Sequence, residues 1–481
     1  MQPLKIYNSW SGNVEEFKPV NKPFLVGLYT CGPTVYSFTH LGHLRTYIFE
    51  DVLKKLLVQN GFLVEHVMNT TDVGHLTSDS DTGEDKMEKQ AKKENKNIYQ
   101  IARFYTKDFL WNLKKTNINQ PNILAPASKY IKEQINIIKA LELKGYTYKT
   151  SDGIYFDTSK VQEYKTIFNQ NKENLKTDER IENVSEKRNP TDFALWKFSP
   201  ANEKRQMEWK SPWGVGFPGW HTECVAMSTK YLGNQFDIHC GGVDHIPVHH
   251  PNEIAQSIAL TGKVPAKYWV HCGFILLDAE KMSKSTNNYK RLVDLIDQNI
   301  NPLAYRLFIL NTHYRKTADF TSEAINASNN ALNNLYAFSE KIQALKLLKL
   351  MRKIKFSNLK QSDILLNNFY HDFINALNDD LNTPKAMEII WNMITEINKN
   401  LYSFNPSSVL NILNKMDKIL SLDIVKHKVS KVPIKIKLLA KKRFNLKKQK
   451  KFELSDKIRD QITSLGFKIN DYQTFYTISK I

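Results

Sequence analysis

The first clear hydrophobic pattern is Phe24-Leu-Val-Gly-Leu-Tyr-Thr-Cys31, a largely apolar run of strand length that stops at Gly32-Pro33. Beyond it, Ile48, Val52, Leu53, Leu56 and Leu57 recur with helical spacing until Gly61. Together they predict a strand, a tight turn and a helix ending near Gly61. Val64-Glu-His-Val-Met-Asn69 reads as a second strand, and residues 80–110 as charged and helical, with a polar stretch over 82–97. A helix is expected across 130–143 and a short strand at Gly153-Ile-Tyr-Phe156, before a polar, flexible stretch over 163–189. The strand pattern resumes at Gln235-Phe-Asp-Ile-His239, followed by a helix through Ile254, Ile258 and Leu260 to Gly262. Tyr268-Trp-Val-His-Cys-Gly-Phe-Ile-Leu-Leu277 reads as one further strand. From about 290 to 425 the periodicity is helical throughout, and a last helix runs through Phe452, Leu454, Ile458, Ile462 and Leu465 to Gly466.

Alternating strands and helices of this kind imply an α/β fold with a doubly wound parallel sheet. The expected organisation is a Rossmann-like domain in two halves, 1–124 and 219–290, interrupted by an insertion over 125–218. A helical linker and bundle over 291–425 and a small basic module over 426–481 complete it. No internal repeat is visible.

Composition narrows this only at a few points. The 481 residues are enough for two to four domains. No run of 18 apolar residues occurs, and Met1-Gln-Pro-Leu-Lys-Ile-Tyr7 lacks a signal-peptide layout, so a soluble cytoplasmic protein is expected. Cys31, Cys224, Cys240 and Cys272 are too sparse for a disulfide scaffold and suggest reduced thiols or a metal. The net charge of +19 fits a polyanionic partner, although the abundance of Lys, Asn and Ile weakens that inference. Its distribution says more: residues 426–451 hold twelve Lys or Arg and no acid, interleaved with Ile434, Ile436, Leu438, Leu439 and Leu446. That run is either a solvated basic face or a contact for RNA.

Two short strings carry the chemistry. His40-Leu-Gly-His43 opens the first helix, where unpaired N–H groups and a partial positive charge suit a phosphate chain. Gly42 lets the backbone approach closely, and two imidazoles can donate to phosphoryl oxygens. Lys281-Met-Ser-Lys-Ser285 puts two ammonium groups and two hydroxyls on a loop, suited to charge building up on a leaving pyrophosphate. Alone, the first also occurs in other nucleotidyltransferases, and the second reads as a solvated basic loop.

In this order and separation the two strings resemble the signature sequences of the class I aminoacyl-tRNA synthetases. The resemblance implies a HIGH-type catalytic domain that adenylates a carboxylate with ATP and magnesium. His40, His43, Lys281 and Lys284 would be catalytic, with Thr34, Gly42 and Ser283 also at the nucleotide.

Further strings narrow the resemblance to the cysteine-specific branch, the cysteinyl-tRNA synthetases. They are Tyr29-Thr-Cys-Gly-Pro-Thr-Val-Tyr36, Gly219-Trp-His-Thr-Glu-Cys-Val-Ala-Met227, Phe236-Asp-Ile-His239, His249-His-Pro-Asn-Glu-Ile-Ala-Gln-Ser257 and Asn378-Asp-Asp-Leu-Asn-Thr-Pro384. What it implies is a zinc ion held by Cys31, Cys224, His249 and Glu253, with Gly32, Thr71 and Trp220 at the amino acid. Trp220 could equally be core, and Thr71 could cap a following helix. Partners would be L-cysteine, ATP and cysteine tRNA, with no membrane contact and a monomeric chain. The C-terminal module would bind the anticodon.

Zinc answers a real difficulty of selection. An apolar pocket separates cysteine from serine or alanine by only about 1–3 kcal/mol, whereas a synthetase needs on the order of 10⁴, near 5.5 kcal/mol. Zinc binds thiolate far better than a neutral hydroxyl or a methyl group. At three positions, Pro251, Cys240 and Cys272, the chain departs from the family pattern. Pro251 is expected to start its helix, which would leave His249 before the first turn and its facing of Glu253 unassured; spacing still favours His249 over His250. Cys240 and Cys272 read as small buried residues. The rival activities are a ligase that adenylates cysteine and transfers it to an amino-sugar, and a non-catalytic RNA-binding relative.

Overall fold

The computed structural model describes residues 2–73, 85–169, 186–200, 205–282, 288–351, 354–357, 359–427, 432–472 and 475–480. Two compact units are present: Met1–Ile325 with Asn375–Lys385, and Asn326–Ile374 with Ala386–Ile481.

The first unit is built on five parallel strands. In chain order, β1 (Leu25–Thr30) leads into α1 (Leu41–Gln59), and β2 (Leu63–Thr70) and β3 (Ile123–Pro126) follow on one side of β1. After the insertion, α2 (Trp220–Leu232) precedes β4 (Phe236–Gly242), and α3 (His249–Thr261) precedes β5 (Ala266–Cys272). The sheet order is β5-β4-β1-β2-β3, every pair parallel. The order therefore reverses between β1 and β4, the switch point where ligands bind at the carboxyl ends of such strands.

Both faces of the sheet are covered, so its strands bury apolar residues on both sides. Tyr29, Val67, Ala125 and Trp269 join Cys224, Met227, Ile254 and Ala255 in one core. Val26 and Leu28 alternate with Tyr29, so they point to the other face, and they are equally buried. On α1, Leu41, Leu44, Ile48, Val52 and Leu56 repeat at helical spacing and are all buried.

The expected strand Tyr268–Leu277 is broken. β5 ends at Cys272, and Ile275–Leu277 belongs to a separate sheet, antiparallel to Glu280–Lys281 and parallel to Ala318–Phe320. Gly273 makes the break possible, because a Cβ there would lie 2.8 Å from the Lys316 carbonyl oxygen and 2.9 Å from that of Arg315. Within the insertion, five antiparallel strands run in the order Thr147–Lys149, Gly153–Phe156, Phe193–Phe198, Val215–Pro218, Trp209–Lys210.

The second unit is mostly helical. It holds most of the helices Leu359–Asn378 and Thr383–Lys399 and all of Pro406–Leu420, which bury apolar stripes, as at Ala386, Ile390, Met393 and Ile397. Its last part is not purely helical as expected. Helices α4 (Ile434–Lys448) and α5 (Phe452–Ser464) are followed by a hairpin, β6 (Phe467–Asp471) and β7 (Tyr476–Lys480).

Candidate active site and metal centre

Cys31 is the first residue beyond β1, and its N–H donates to the Cys240 carbonyl of β4 at 3.2 Å. That places its thiol at the switch point. Cys224 projects from the second turn of α2, and His249 and Glu253 from the first turns of α3. One ligand atom from each of Cys31, Cys224, His249 and Glu253 lies within 4.8 Å of the other three.

The helix start differs from expectation: α3 begins at His249, not Pro251. Proline is tolerated because its missing N–H falls in the first turn, where no intrahelical acceptor exists. His249 and Glu253 therefore do face each other at i, i+4, with Nε2 2.9 Å from Oε1. His249 Nε2 is also 3.5 Å from Cys224 Sγ.

Electrostatics favours a thiolate here. A hydrogen bond with Cys31 and the charge of His249, working against burial, pull the Cys224 thiol down to about 6. Burial disfavours charge on His249, but Glu253 and Cys224 outweigh it and hold the imidazolium up to about 10. Burial opposes charge on Glu253 too, and His239 and His249 overcome it, leaving the carboxyl at about 2. Two thiols, an imidazole and a carboxylate in a dry site suit zinc, and the positive charge now carried by a proton on His249 is what a cation would replace. A second set, Cys31, His239, His250 and Glu253, is equally compact. There His239 Nε2 bonds Glu253 Oε2 at 2.9 Å and His250 Nδ1 bonds His271 Nε2 at 2.8 Å, the pattern of groups that orient ligands.

The remaining site residues gather around this centre. Trp220 opens α2, its ring stacked on that of His249. A Cβ on Gly32 would sit 1.7 Å from the Asn69 carbonyl oxygen, so only glycine fits, and its N–H donates to Asn69 Oδ1 at 2.8 Å. Thr34 and Thr71 are bridge partners. Thr71 is buried and donates to Glu223 Oε2 at 3.1 Å; no helix described begins at it. Burial pushes Glu223 well above the usual carboxylate range.

At the start of α1, the His40 and His43 rings stack with centroids 3.7 Å apart, and His40 N–H donates to His43 Nδ1 at 3.4 Å. A Cβ on Gly42 would approach the His40 ring to 2.9 Å. Lys281 pairs with Leu276 through the backbone and Met282 is buried; Ser283 and Lys284 lie outside the described residues. Sequence reasoning missed Glu223, His239 and His271. Only the neighbouring motif residues signalled the first two, and nothing signalled His271.

Residues 17–330 match the family model described as tRNA synthetases class I (C) catalytic domain, and 372–424 match the DALR domain. Cysteine–tRNA ligase 1 of Burkholderia lata is 41% identical over 472 residues, covering 98% of this chain and 95% of that one. The cysteine–tRNA ligase of Treponema denticola is 40% identical over 486 residues, covering 97% and 98%. Methionyl-tRNA synthetase of Mycobacterium tuberculosis, solved with methionyl-adenylate, shares the fold with a TM-score of 0.58 at 14% identity, covering 84% of this chain and 89% of that one. With its switch-point site and near full-length likeness to those enzymes, the chain belongs to the cysteine–tRNA ligases, class I aminoacyl-tRNA synthetases.

Proposed function

We propose that Cys31, Cys224, His249 and Glu253 hold one zinc ion that selects cysteine for adenylation by ATP. The observation that carries this reading is the convergence of these four side chains within 4.8 Å at the sheet's switch point. When bound, zinc supplies a Lewis-acid position that takes a thiolate in preference to a hydroxyl or methyl group. Trp220 and Gly32 shape the amino-acid pocket, and Thr71 acts beside it through Asn69 and Glu223.

Thr34, His40, Gly42 and His43 receive ATP, with magnesium on its phosphates. Because His43 Nδ1 accepts from a backbone N–H, its proton sits on Nε2, which can donate to a phosphoryl oxygen. Lys281, Ser283 and Lys284 stabilise the charge that grows on the departing pyrophosphate. The attacking group is the substrate's own carboxylate, so adenylation needs no general base from the chain. A terminal ribose hydroxyl of cysteine tRNA then displaces AMP.

The tRNA interface is assigned to residues 426–481. On α4 and at its C-terminal cap, Leu438, Lys441, Lys442, Asn445, Leu446 and Gln449 line one open groove. Lysines there would bind phosphates, and the two amides, one turn apart, can read base edges. Among the described residues no helix is long and apolar enough to cross a membrane. A cytoplasmic monomer completes the proposal. An amino-sugar ligase is disfavoured by the near full-length likeness to cysteine–tRNA ligases.

The test is cysteine-dependent ATP–pyrophosphate exchange, with serine as control, before and after chelation and zinc return. Cysteine should support exchange and serine should not. Activity that survives chelation with the metal measurably gone would remove zinc from the reading.

A further inference from the structure

The helix Ile98–Lys115 has two unlike faces. Ile98, Ile101, Tyr105, Phe109 and Leu113 recur at helical spacing and are buried. On the other face Tyr99, Phe104 and Trp111 are exposed. Arg103, Lys107, Lys114 and Lys115 are exposed there as well. At about 100° per residue these side chains fall within an arc of about 160°. Asp108 is the only acid in the helix, and its carboxylate is engaged: Oδ2 accepts the Thr39 N–H at 2.9 Å. The Lys96 ammonium lies 4.8 Å from the centre of the Phe104 ring, and that of Lys115 lies 5.6 Å from the centre of the Trp111 ring.

Aromatic rings left in water forgo the free energy that burial would recover, so a general abundance of lysine does not account for this face. Rings and cations in one strip match an unpaired nucleic-acid strand, whose bases stack on aromatic faces while its phosphates meet positive charge. A duplex keeps its base faces covered, and an acidic peptide would use the charges but not the rings. The strip also has a telling position. The Phe104 ring lies 5.9 Å from that of Phe38, and Asp108 holds Thr39; those two residues directly precede His40. One part of the strip therefore borders the start of α1. We propose that the exposed face of the helix Ile98–Lys115 docks the unpaired 3′ strand of the tRNA substrate, a second RNA contact apart from residues 426–481. This rests on the reading of His40 and His43 as the ATP site, where the terminal ribose must arrive.

The experiment compares cysteine tRNA with the same transcript trimmed to its last acceptor base pair, by filter binding over a range of salt. The full chain is used, as parent, as Trp111→Ala, as Trp111→Phe and as Lys107→Gln combined with Lys114→Gln. Trp111→Ala should weaken binding of intact tRNA by about 5-fold to 10²-fold, as for the loss of one base–ring stack, and Trp111→Phe should recover most of it. The double lysine variant should weaken it too, and flatten the slope of log affinity against log salt by about 1.4. Trimmed tRNA should bind the parent and both Trp111 variants within about twofold of one another, because stacking needs an unpaired base. Cysteine-dependent pyrophosphate exchange should stay native in every variant, which reports that each is folded. An equal loss for intact and trimmed tRNA, or native binding of intact tRNA by Trp111→Ala, overturns the inference. Binding to phosphatidylglycerol vesicles that Trp111→Ala abolishes, with tRNA binding untouched, gives the face to a membrane and overturns it too. A parent protein that exchanges no pyrophosphate with cysteine overturns the reading of the ATP site and the inference with it, and is recognisable without any variant.

Discussion

Trp220 lies flat on His249, with ring centroids 4.2 Å apart and planes 25° from parallel. One wall of the proposed cysteine pocket is therefore packed on a proposed metal ligand. The stack limits rotation of an imidazole whose Nε2 already faces Cys224 and Glu253. Trp220→Ala should raise the cysteine KM about twofold to tenfold, as expected for losing an aromatic pair worth about 0.5–1.5 kcal/mol, and should speed zinc loss on dialysis. Trp220→Phe should restore most of both. Native cysteine KM and native zinc retention in Trp220→Ala would show that the contact constrains neither.

Removing one thiolate tests the metal set directly. Cys224→Ser should lower the zinc content found by elemental analysis and weaken cysteine binding, with a smaller effect on the KM for ATP. Cys224 sits near 6 through its bond with Cys31 and the charge of His249, while His249 is held near 10. At pH 7 the pair is thus a thiolate beside an imidazolium, and zinc uptake must displace that proton. Uptake should release protons to an indicator dye, and zinc affinity should fall as pH drops below about 10, where His249 is protonated, and more steeply below about 6, where the thiolate is protonated as well. Zinc binding without proton release would contradict the assignment of His249.

The departures from the sequence reading have physical causes. Strand β1 is buried on both faces over most of its length, so an apolar run marked it plainly, whereas β2 carries Glu65, His66 and Asn69 and was marked by its β-branched and apolar positions alone. The break after Cys272 was hidden because its cause, the carbonyls of Arg315 and Lys316, comes from distant chain. The C-terminal hairpin does carry strand alternation, Phe467 and Ile469 against Lys468 and Asn470, but each strand is only five residues long, too short to stand out beside the two helices before it. Glu253 would have passed for a surface acid on a helix without the family resemblance, and it is 2% exposed. The histidines around it are brought together by α3, β4 and β5, an adjacency no local spacing announces.

Gly42 offers a test at the nucleotide end. Its added Cβ would press on the His40 ring, 2.9 Å away, and on Ile275 Cγ2, 3.3 Å away. Alanine favours a helix over glycine by about 1 kcal/mol, so Gly42→Ala should fold with little change in melting temperature. Displacing the His40 and His43 stack should nevertheless lower pyrophosphate-exchange kcat by roughly 10²-fold, with cysteine KM near native. A native kcat would mean that the histidine geometry is not needed for the step.

His66 on β2 provides a pH-dependent signature of the fold. Its ring is buried, with Nε2 2.9 Å from Thr30 Oγ1. Burial, with the charge of Lys54, lowers its pKa from 6.5 to about 3. The unfolded chain therefore binds one more proton between those values, and stability falls with pH through that window by up to about 1.4 kcal/mol per unit. His66→Gln removes this term, so its destabilisation relative to the parent should shrink as pH is lowered from 7 to 5. A gap in melting temperature that does not vary with pH would count against a neutral buried imidazole.

The last prediction concerns the C-terminal module. Ile436, Ala440, Ile462, Phe467 and Ile469 form a separate small core inside α4, α5 and the hairpin. A chain ending at residue 431 therefore loses a packed unit whole, without opening the core around Cys31 and Cys224. Arg443 and Lys447 are committed to Asp471, at 2.6 and 2.9 Å, so they hold the module together. Lys441 and Lys442 are exposed beside Asn445 and Gln449, and remain for a polyanion. The shortened chain should keep cysteine-dependent pyrophosphate exchange within about twofold while charging of cysteine tRNA falls by roughly 10²-fold and loses part of its salt dependence. Within the full chain, Lys441→Ala should weaken charging of native and anticodon-mutated cysteine tRNA alike, because phosphates carry no sequence. Asn445→Ala should instead narrow the difference between the two tRNAs, because an amide reads base edges. If the full-length protein charged both tRNAs equally, the groove on α4 would have no anticodon to read.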